Sequence, residues 1–347
     1  MLNKIDLLSL TINEIEDLVE KNGEKRYRGR QIFQWLHKGV KDFNEINNIP
    51  KKLKEDLKEI SYISKLTIEK KLVSNIDGTQ KYLLKLEDNN IIEAVTMSYK
   101  HGITICISSQ IGCLMGCNFC ASTIGGLVRN LRAGEMVDQI ILIEKDLGKR
   151  ISNIVIMGSG EPLHNYDEVI NFLKVVNHEN GLNIGNRHIT LSTCGLVPKI
   201  IELANLQIPI NLAISLHAPD DTLRRSMMPI ANKYSIDELM EACKYYIEKN
   251  NRRITFEYAL IKDVNDREIH AHQLSKLLDG MLCHVNLIPI NEVDERQYEK
   301  SNKDRIKNFQ SILKKNGIEA TIRREMGSDI NAACGQLRNN YIEQTRL

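Results

Sequence analysis

Residues 106–123, Cys-Ile-Ser-Ser-Gln-Ile-Gly-Cys-Leu-Met-Gly-Cys-Asn-Phe-Cys-Ala-Ser-Thr, decide how this chain is read. Three of the cysteines, Cys113, Cys117 and Cys120, form C-x3-C-x2-C. Three thiolates so spaced suit a [4Fe–4S] cluster in which one iron has no protein ligand. An open iron binds substrate or cofactor, so the spacing implies chemistry as well as structure. Structural zinc usually takes four protein ligands, commonly from two paired knuckles. The other cysteines, Cys106, Cys194, Cys243, Cys283 and Cys334, are singletons, so no second knuckle exists. Zinc and unligated thiols are the competing readings.

Outward from this stretch, strand and helix patterns alternate. Apolar strand candidates are 103–107, 154–157, 188–192, 210–216, 254–259 and 284–288, with helical periodicity at 133–146, 166–176, 236–248 and 269–278. Six βα units in succession predict an α/β fold with parallel strands and right-handed crossovers. Eight such units close a barrel, so six predict a partial (β/α)6 barrel. In barrels the chemistry sits at the carboxyl ends of strands. Those ends carry the cysteine loop, Gly158-Ser159-Gly160-Glu161-Pro162, Ser192-Thr193-Cys194-Gly195, Ser215-Leu216-His217 and Pro289-Ile290-Asn291. Glycines make tight βα turns anywhere, but several beside small polar residues and a metal loop predict backbone closing on a ligand.

Upstream, residues 1–60 read as short helices forming a small accessory domain. Thr11 to Glu14 is a capping box, and Ile15 and Leu18, then Ile32, Phe33, Trp35 and Leu36, then Leu53, Leu57 and Ile60 give three apolar stripes. Residues 61–98 change to strand character with turn signals at Asp77-Gly78 and Asp88-Asn89-Asn90, and 99–347 hold the barrel. Lys21, Lys25, Arg26, Arg28, Arg30, Lys38 and Lys41 face a single acid, Glu24, between residues 21 and 41, with Tyr27, Phe33 and Trp35 interleaved. RNA-binding surfaces often look this way, and so does a solvated helix face.

The 347 residues are 42% hydrophobic and 27% charged, enough for one large domain and a small one. A net charge of +2 does not itself demand a nucleic-acid partner. The start, MLNKIDLLSLTINEIEDL, is acidic and amphipathic, unlike a secretory leader, and no run approaches the ~18 apolar residues of a membrane span. Eight cysteines then point to metal or catalysis rather than disulfides. The expectation is a cytoplasmic monomer that touches no membrane.

The segments CISSQIGCLMGCNFCAST, MGSGEPLHN, LSTCG, ISLHAP, NLIPIN and DINAACGQL resemble the RlmN-type radical S-adenosylmethionine (SAM) adenine methyltransferases. The motifs run from about residue 25 to 340. The triad of cysteines alone resembles only the wider radical SAM superfamily; Cys106 and Cys334 make the likeness specific. The resemblance implies a partial radical SAM barrel with an N-terminal RNA-binding domain. Implied substrates are 23S rRNA, at carbon 2 of adenosine 2503, and tRNA, at adenosine 37. Implied cofactors are the [4Fe–4S] cluster on Cys113, Cys117 and Cys120 and two SAM molecules per turnover, with flavodoxin or ferredoxin as electron donor.

Carbon 2 of adenine lies between two ring nitrogens and is too electron-poor to attack a sulfonium methyl, so a one-electron route carried by the cofactor is needed. By the resemblance, Cys334 takes a methyl from one SAM, and a radical made from a second removes hydrogen from that S-methyl group. The carbon adds to the base and tethers RNA to protein. Cys106 resolves the adduct, leaving a Cys106–Cys334 disulfide, while Glu93 accepts the ring proton. Sulfur reacts as thiolate, which a cationic setting favours, and Arg323 and Arg324 are near enough in sequence to supply one. Gly160, Glu161, Ser192, Ser215, Leu216, His217 and Asn291 match SAM-contacting positions. Two departures stand out: Ser159 replaces the Met of a GMGEP form, and Glu292 follows Asn291 where Pro is usual. The bland readings are a packing role for Cys106 and Cys334, and a solvent-facing edge position for Glu93; Cys194, Cys243 and Cys283 read as structural. Cfr-like methylation at carbon 8 is the nearest alternative function, with Pro162 favouring carbon 2. A non-enzymatic Fe–S RNA-binding module is the alternative from another class.

Overall fold

The computed structural model describes residues 4–291 and 298–332. A two-residue strand, β1 (Ile5–Asp6), precedes α1 (Ile12–Lys21), which starts at the expected capping box. The Thr11 amide donates to the Glu14 carboxylate at 2.8 Å, and the Glu14 amide to the Thr11 hydroxyl at 3.4 Å. Helix α2 (Tyr27–His37) crosses α1 so closely that a β-carbon on Gly29 would stand 2.6 Å from the Glu16 Cα. Helix α3 (Lys51–Ile60) follows Pro50 and runs into β2 (Ser61–Tyr62), which pairs in parallel with β1. Ile15, Val19, Ile32, Phe33, Leu36, Leu53 and Leu57 are buried, as the apolar stripes require.

These helices share one core with the strands and helices downstream of them. The Ser9 hydroxyl accepts the Gly134 amide at 2.8 Å, and the Ser9 carbonyl accepts from Asn171 Nδ2 at 2.6 Å. The buried Asp138 carboxylate accepts the Leu66 amide at 2.7 Å and pairs with Lys41. A β-carbon on Gly134 would fall 2.2 Å from Asp6 Oδ2, so only glycine permits this approach.

Strands β3 (Thr67–Val73), β4 (Gln80–Lys85), β5 (Ile91–Tyr99) and β6 (Gly102–Ile107) form an antiparallel meander. A hairpin of β7 (Gln110–Gly112) and β8 (Leu127–Asn130) then frames the cysteine loop. Beyond it helices and strands alternate: α4 (Ala133–Leu147), β9 (Ile151–Ile156), α5 (Tyr166–Asn177), β10 (Ile189–Thr193), α6 (Val197–Asn205), β11 (Asn211–Ser215), α7 (Asp221–Met227), α8 (Ile236–Asn250), β12 (Ile254–Leu260), α9 (Glu268–Leu277), β13 (Cys283–Pro289), α10 (Lys303–Lys315) and β14 (Ala320–Ile322). One sheet holds them in the order β14-β13-β12-β11-β10-β9-β6-β5-β4-β3, parallel from β6 to β14. Among the described residues its two edges do not join, so the barrel is partial, as expected for an α/β chain of this pattern. The six anticipated strands are β6 and β9–β13. Strand β14 adds a seventh parallel member, and the meander extends the opposite edge. Strand β12 is buried nearly throughout, whereas every second residue of β13 is partly exposed.

Candidate active site

The cysteine loop is shaped by its backbone. The Cys113 amide donates to the Gly126 carbonyl at 3.0 Å, the Cys120 amide to the Cys117 carbonyl at 3.2 Å, and the Thr123 hydroxyl to the Cys120 carbonyl at 2.9 Å. Gly116, at φ +68°, makes the turn between the first two cysteines that a side chain resists. Asn118 fastens the loop to α7, its amide donating to the Met227 carbonyl at 2.9 Å and its Nδ2 to the Ser226 carbonyl at 2.7 Å.

Cys113 and Cys117 are buried and Cys120 is half-buried. Burial pushes the Cys113 thiol up to about 12 and Cys117 higher still, with the neighbouring thiols adding to both. Thiolates are therefore held here only by a strong positive partner such as iron. Among the described residues no three His, Cys, Asp or Glu side chains converge on a single ion. A cuboidal cluster needs no such convergence, because each thiolate binds a different iron. The donor set and its burial fit the cluster.

The strand ends meet the loop around a cavity of about 160 Å³. Cys120, Ser192, Ser215, His217 and Asn291 line it, five positions anticipated from sequence as metal or SAM contacts. His217 adopts φ +58°, and its Nδ1 accepts the Ala259 amide at 2.9 Å, which leaves the proton on Nε2. Burial, helped by the nearby Arg224 charge, lowers His217 to about 3, so it is a neutral donor near pH 7. Gly160, Glu161 and Leu216 do not line this cavity. Glu161 lies buried behind the cysteine loop, where its carboxylate accepts the Cys194 amide at 2.8 Å and the Leu163 amide at 2.9 Å. Leu216 is fully buried, and its carbonyl accepts from Arg224 Nε at 3.3 Å.

A second cavity of about 60 Å³ adjoins the first. Met157, Ile288, Asn291 and Arg323 line both. Cys106, Arg323, Arg324 and Ala332 face the second. Cys106 packs with Val95, Met97 and Ala332 and stands opposite Val95 across the β5–β6 pair. Cys334 and Glu292 lie outside the described residues. Glu93 is not at a solvent edge: it is 4% exposed on β5, with Lys81 Nζ 3.6 Å from its carboxylate. Burial lowers the Lys81 ammonium against the opposing pull of Glu93.

Three residues of the site were not anticipated. Glu257, on β12, faces the first cavity and accepts from Asn286 Nδ2 at 2.8 Å, with burial raising its pKa. A lone acid inside the apolar run Ile254–Leu260 was the available signal. Phe119 lies edge-on to His217 at 4.9 Å, and nothing in the spacing of the cysteine loop marks it. Arg224 is fully buried on α7, donating to the Cys194 carbonyl at 2.7 Å and to those of Ser215 and Leu216 at 3.4 and 3.3 Å. In sequence it reads as an ordinary surface arginine.

The basic N-terminal segment is partly neutralised by its own neighbours. Arg26 pairs with Glu16 at 3.4 Å, Glu20 at 3.0 Å and Asp17, and Arg30 lies 3.6 Å from Glu16. Arg28 donates to the Asn48 carbonyl at 2.8 Å, and the Lys38 ammonium stacks 5.0 Å from the Trp35 ring.

Among the described residues no helix is long and apolar enough to cross a membrane. The model of the Radical SAM superfamily matches residues 107–274, and that of the ribosomal RNA large subunit methyltransferase N-terminal domain matches residues 5–63. A protein of Alkaliphilus oremlandii named "Probable dual-specificity RNA methyltransferase RlmN" is 67% identical over 99% of this chain and 100% of its own length. A protein of the same name in Clostridium tetani is 57% identical over 99% of this chain and 98% of its own. The crystal structure of a radical SAM methyltransferase from Sphaerobacter thermophilus superposes with a TM-score of 0.91 at 43% identity, covering 96% of this chain and 99% of that one.

Proposed function

The chain belongs to the RlmN family of radical SAM RNA methyltransferases, and from that premise we propose that it methylates carbon 2 of adenosine 2503 in 23S rRNA and of adenosine 37 in tRNAs. Methyl transfer runs through Cys334 and a covalent protein–RNA adduct. When bound, the [4Fe–4S] cluster and two SAM molecules supply the methyl group and the one-electron chemistry that an electron-poor carbon requires.

Cys113, Cys117 and Cys120 hold the cluster, with Cys120 facing the larger cavity. Ser192, Ser215, Asn291 and the Nε2–H of neutral His217 offer SAM hydrogen-bonding groups along that wall. Gly160 and Glu161 act from behind, shaping the turn rather than touching SAM with their side chains. Cys334, as thiolate, attacks the methyl carbon of SAM, releases S-adenosylhomocysteine and becomes a thioether. Arg323 and Arg324, which line the smaller cavity, favour that thiolate. Glu93 takes the ring proton, with the Lys81 ammonium 3.6 Å from its carboxylate. Cys106 attacks the Cys334 sulfur. The sulfur–carbon bond breaks toward carbon, which gains a proton, leaving methyl on the base and a Cys106–Cys334 disulfide. An external electron donor, such as flavodoxin or ferredoxin, and a thiol reductant complete the cycle in a cytoplasmic setting.

The observation that carries this reading is the wall shared by the two cavities, with Cys120 on one and Cys106 on the other. The test is anaerobic turnover of the reconstituted protein with SAM, a reductant and RNA, followed by digestion and separation of methyladenosine isomers by mass spectrometry. The 2-methyl isomer is expected; the 8-methyl isomer overturns the assignment of position. Cys106→Ala is expected to accumulate a protein–RNA adduct, and its absence overturns the resolving role.

A further inference from the structure

Arg224 is a cation in surroundings that supply it with no anion. It is fully buried on α7 and stays charged, as arginine does inside proteins. Its bonds go to neutral groups: Nη2 donates to the Cys194 carbonyl at 2.7 Å and the Ser215 carbonyl at 3.4 Å, and Nε to the Leu216 carbonyl at 3.3 Å. Nη1 is enclosed and has no acceptor among the described residues. Nor does any described carboxylate pair with the guanidinium. Asp221, the acid on the same helix, accepts the Ile236 amide at 2.9 Å and lies 3.6 Å from Arg225. Glu161 accepts the amide of Cys194, the residue whose carbonyl Arg224 holds.

The cysteine loop stands beside this charge. Asn118, the residue after Cys117, is bonded to Ser226 and Met227 of the helix that carries Arg224. Cys117 itself packs with Cys194, Met227 and Met228. Gly195, at φ +101°, leaves room for the guanidinium, since a β-carbon there would stand 3.3 Å from Nη2. The Arg224 charge interacts through space with Cys194 and with Cys117. Burial pushes the Cys194 and Cys243 thiols up, so both are neutral and neither balances the cation. Taking a lone charge out of water is costly, and proteins offset it with an opposite one. A cluster held by three thiolates is such an anion.

We propose that Arg224 is the buried counter-charge of the [4Fe–4S] cluster on Cys113, Cys117 and Cys120, and that it raises the reduction potential of that cluster. Arg224 lines neither cavity, so it acts on the cluster rather than on SAM or RNA. With three thiolates the oxidised cluster is already negative, and the single electron from the external donor makes it more so. A fixed positive charge in a dry interior favours the more negative state, whereas a cation in water would be screened. The consequence is a cluster that a weaker reductant can load. The proposal rests on the assignment of the cluster to these three cysteines made above.

The test uses the full-length protein, reconstituted anaerobically with ferrous iron and sulfide and titrated with dithionite through redox dyes in the absence of SAM. The electron paramagnetic resonance signal of the reduced cluster reports the midpoint potential. Arg224→Met is expected to lower the reduced-to-oxidised ratio at a given potential about tenfold, which is about 59 mV for one electron. Arg224→Lys keeps the charge but not the planar fork of donors, so its midpoint is expected to stay nearer the wild type's than that of Arg224→Met. A merely structural arginine would leave the midpoint unmoved or shift both variants alike. An Arg224→Met midpoint equal to the wild type's therefore overturns the counter-charge, and so does an Arg224→Lys midpoint as low as that of Arg224→Met. If Arg224→Met does not fold, Arg224→citrulline, a neutral isostere that keeps donors for the three carbonyls, decides by the same comparison. A wild type that takes up no iron and sulfide overturns the cluster assignment and the proposal with it.

Discussion

Gly160→Ala offers the sharpest check on the packing behind the cysteine loop. Gly160 lies at φ +105°, where a β-carbon would sit 2.5 Å from Gln110 Cβ and 2.9 Å from the Gln110 amide nitrogen. Gln110 is fully buried and has little room to yield. Its amide donates to the Ser159 carbonyl at 3.1 Å and its Oε1 accepts the Glu161 amide at 2.8 Å. Its Nε2 donates to Asn130 Oδ1 at 2.7 Å and lies 3.0 Å from His164 Nδ1. Forcing alanine into a left-handed backbone costs about 1–2 kcal/mol. Each buried hydrogen bond broken without replacement costs about 1–3 kcal/mol. Losing one or two, and subtracting about 0.5 kcal/mol for the stiffer unfolded chain, gives a loss near 3–5 kcal/mol. At about 2 °C per kcal/mol for a chain of this size, the melting midpoint falls by roughly 6–10 °C. Gly148→Ala is the internal control: it has φ +60° but nothing within 4 Å of the added carbon, so only the backbone cost of about 1 kcal/mol remains. Urea and thermal unfolding of both variants measure the difference. Equal, small shifts would refute the reasoning, which rests on the clash with Gln110.

Other outcomes rest on the same geometry. Arg224→Met leaves the carbonyls of Cys194, Ser215 and Leu216 without their buried donor, and is expected to lower stability by about 3 kcal/mol in urea titrations; a neutral result would discount those bonds. His217, lowered to about 3, stays neutral in the fold while the unfolded chain protonates below pH 6.5. The stability this gives is present above the unfolded value and is lost as pH falls toward 3. Between pH 7.5 and 5 the loss is about 2 kcal/mol, and His217→Gln should flatten that part of the acid-side slope. Arg28→Ala with Lys38→Ala should flatten the salt dependence of RNA binding by ~0.7 log units per lost contact. Arg26→Ala, whose charge is already matched by Glu16, Asp17 and Glu20, should not; an equal effect from both would return the segment to a uniform basic patch.

What was legible in the sequence was local. The cysteine spacing is a one-turn feature, and the βα alternation is written in apolar periodicity, so the loop and six parallel strands could be placed. The strand-end positions of Ser192, Ser215 and Asn291 followed from that alternation, and their reading as SAM contacts from the resemblance. What stayed hidden needs pairing across long separations. Nothing in Ala320–Ile322, three residues long, announces a seventh parallel strand beside β13. Lys81 reads as a surface lysine until β4 is laid beside β5 and Glu93 comes to stand 3.6 Å away. Leu216, matched by likeness to a cofactor position, has its side chain turned into the core.

The interlocking of Ser9, Lys41 and Leu66 with Gly134, Asp138 and Asn171 has a consequence for how a large polymer is chosen. Helices welded to α4 and α5 behave as a jig rather than a tether. Any nucleic acid seated on them is offered to the cavities at one fixed offset, so selectivity becomes a matter of whether a folded target fits that span. Lengthening the joint near residue 64 would trade that gauge for slack, admitting shorter or looser targets while leaving the chemistry at the cavity unaltered.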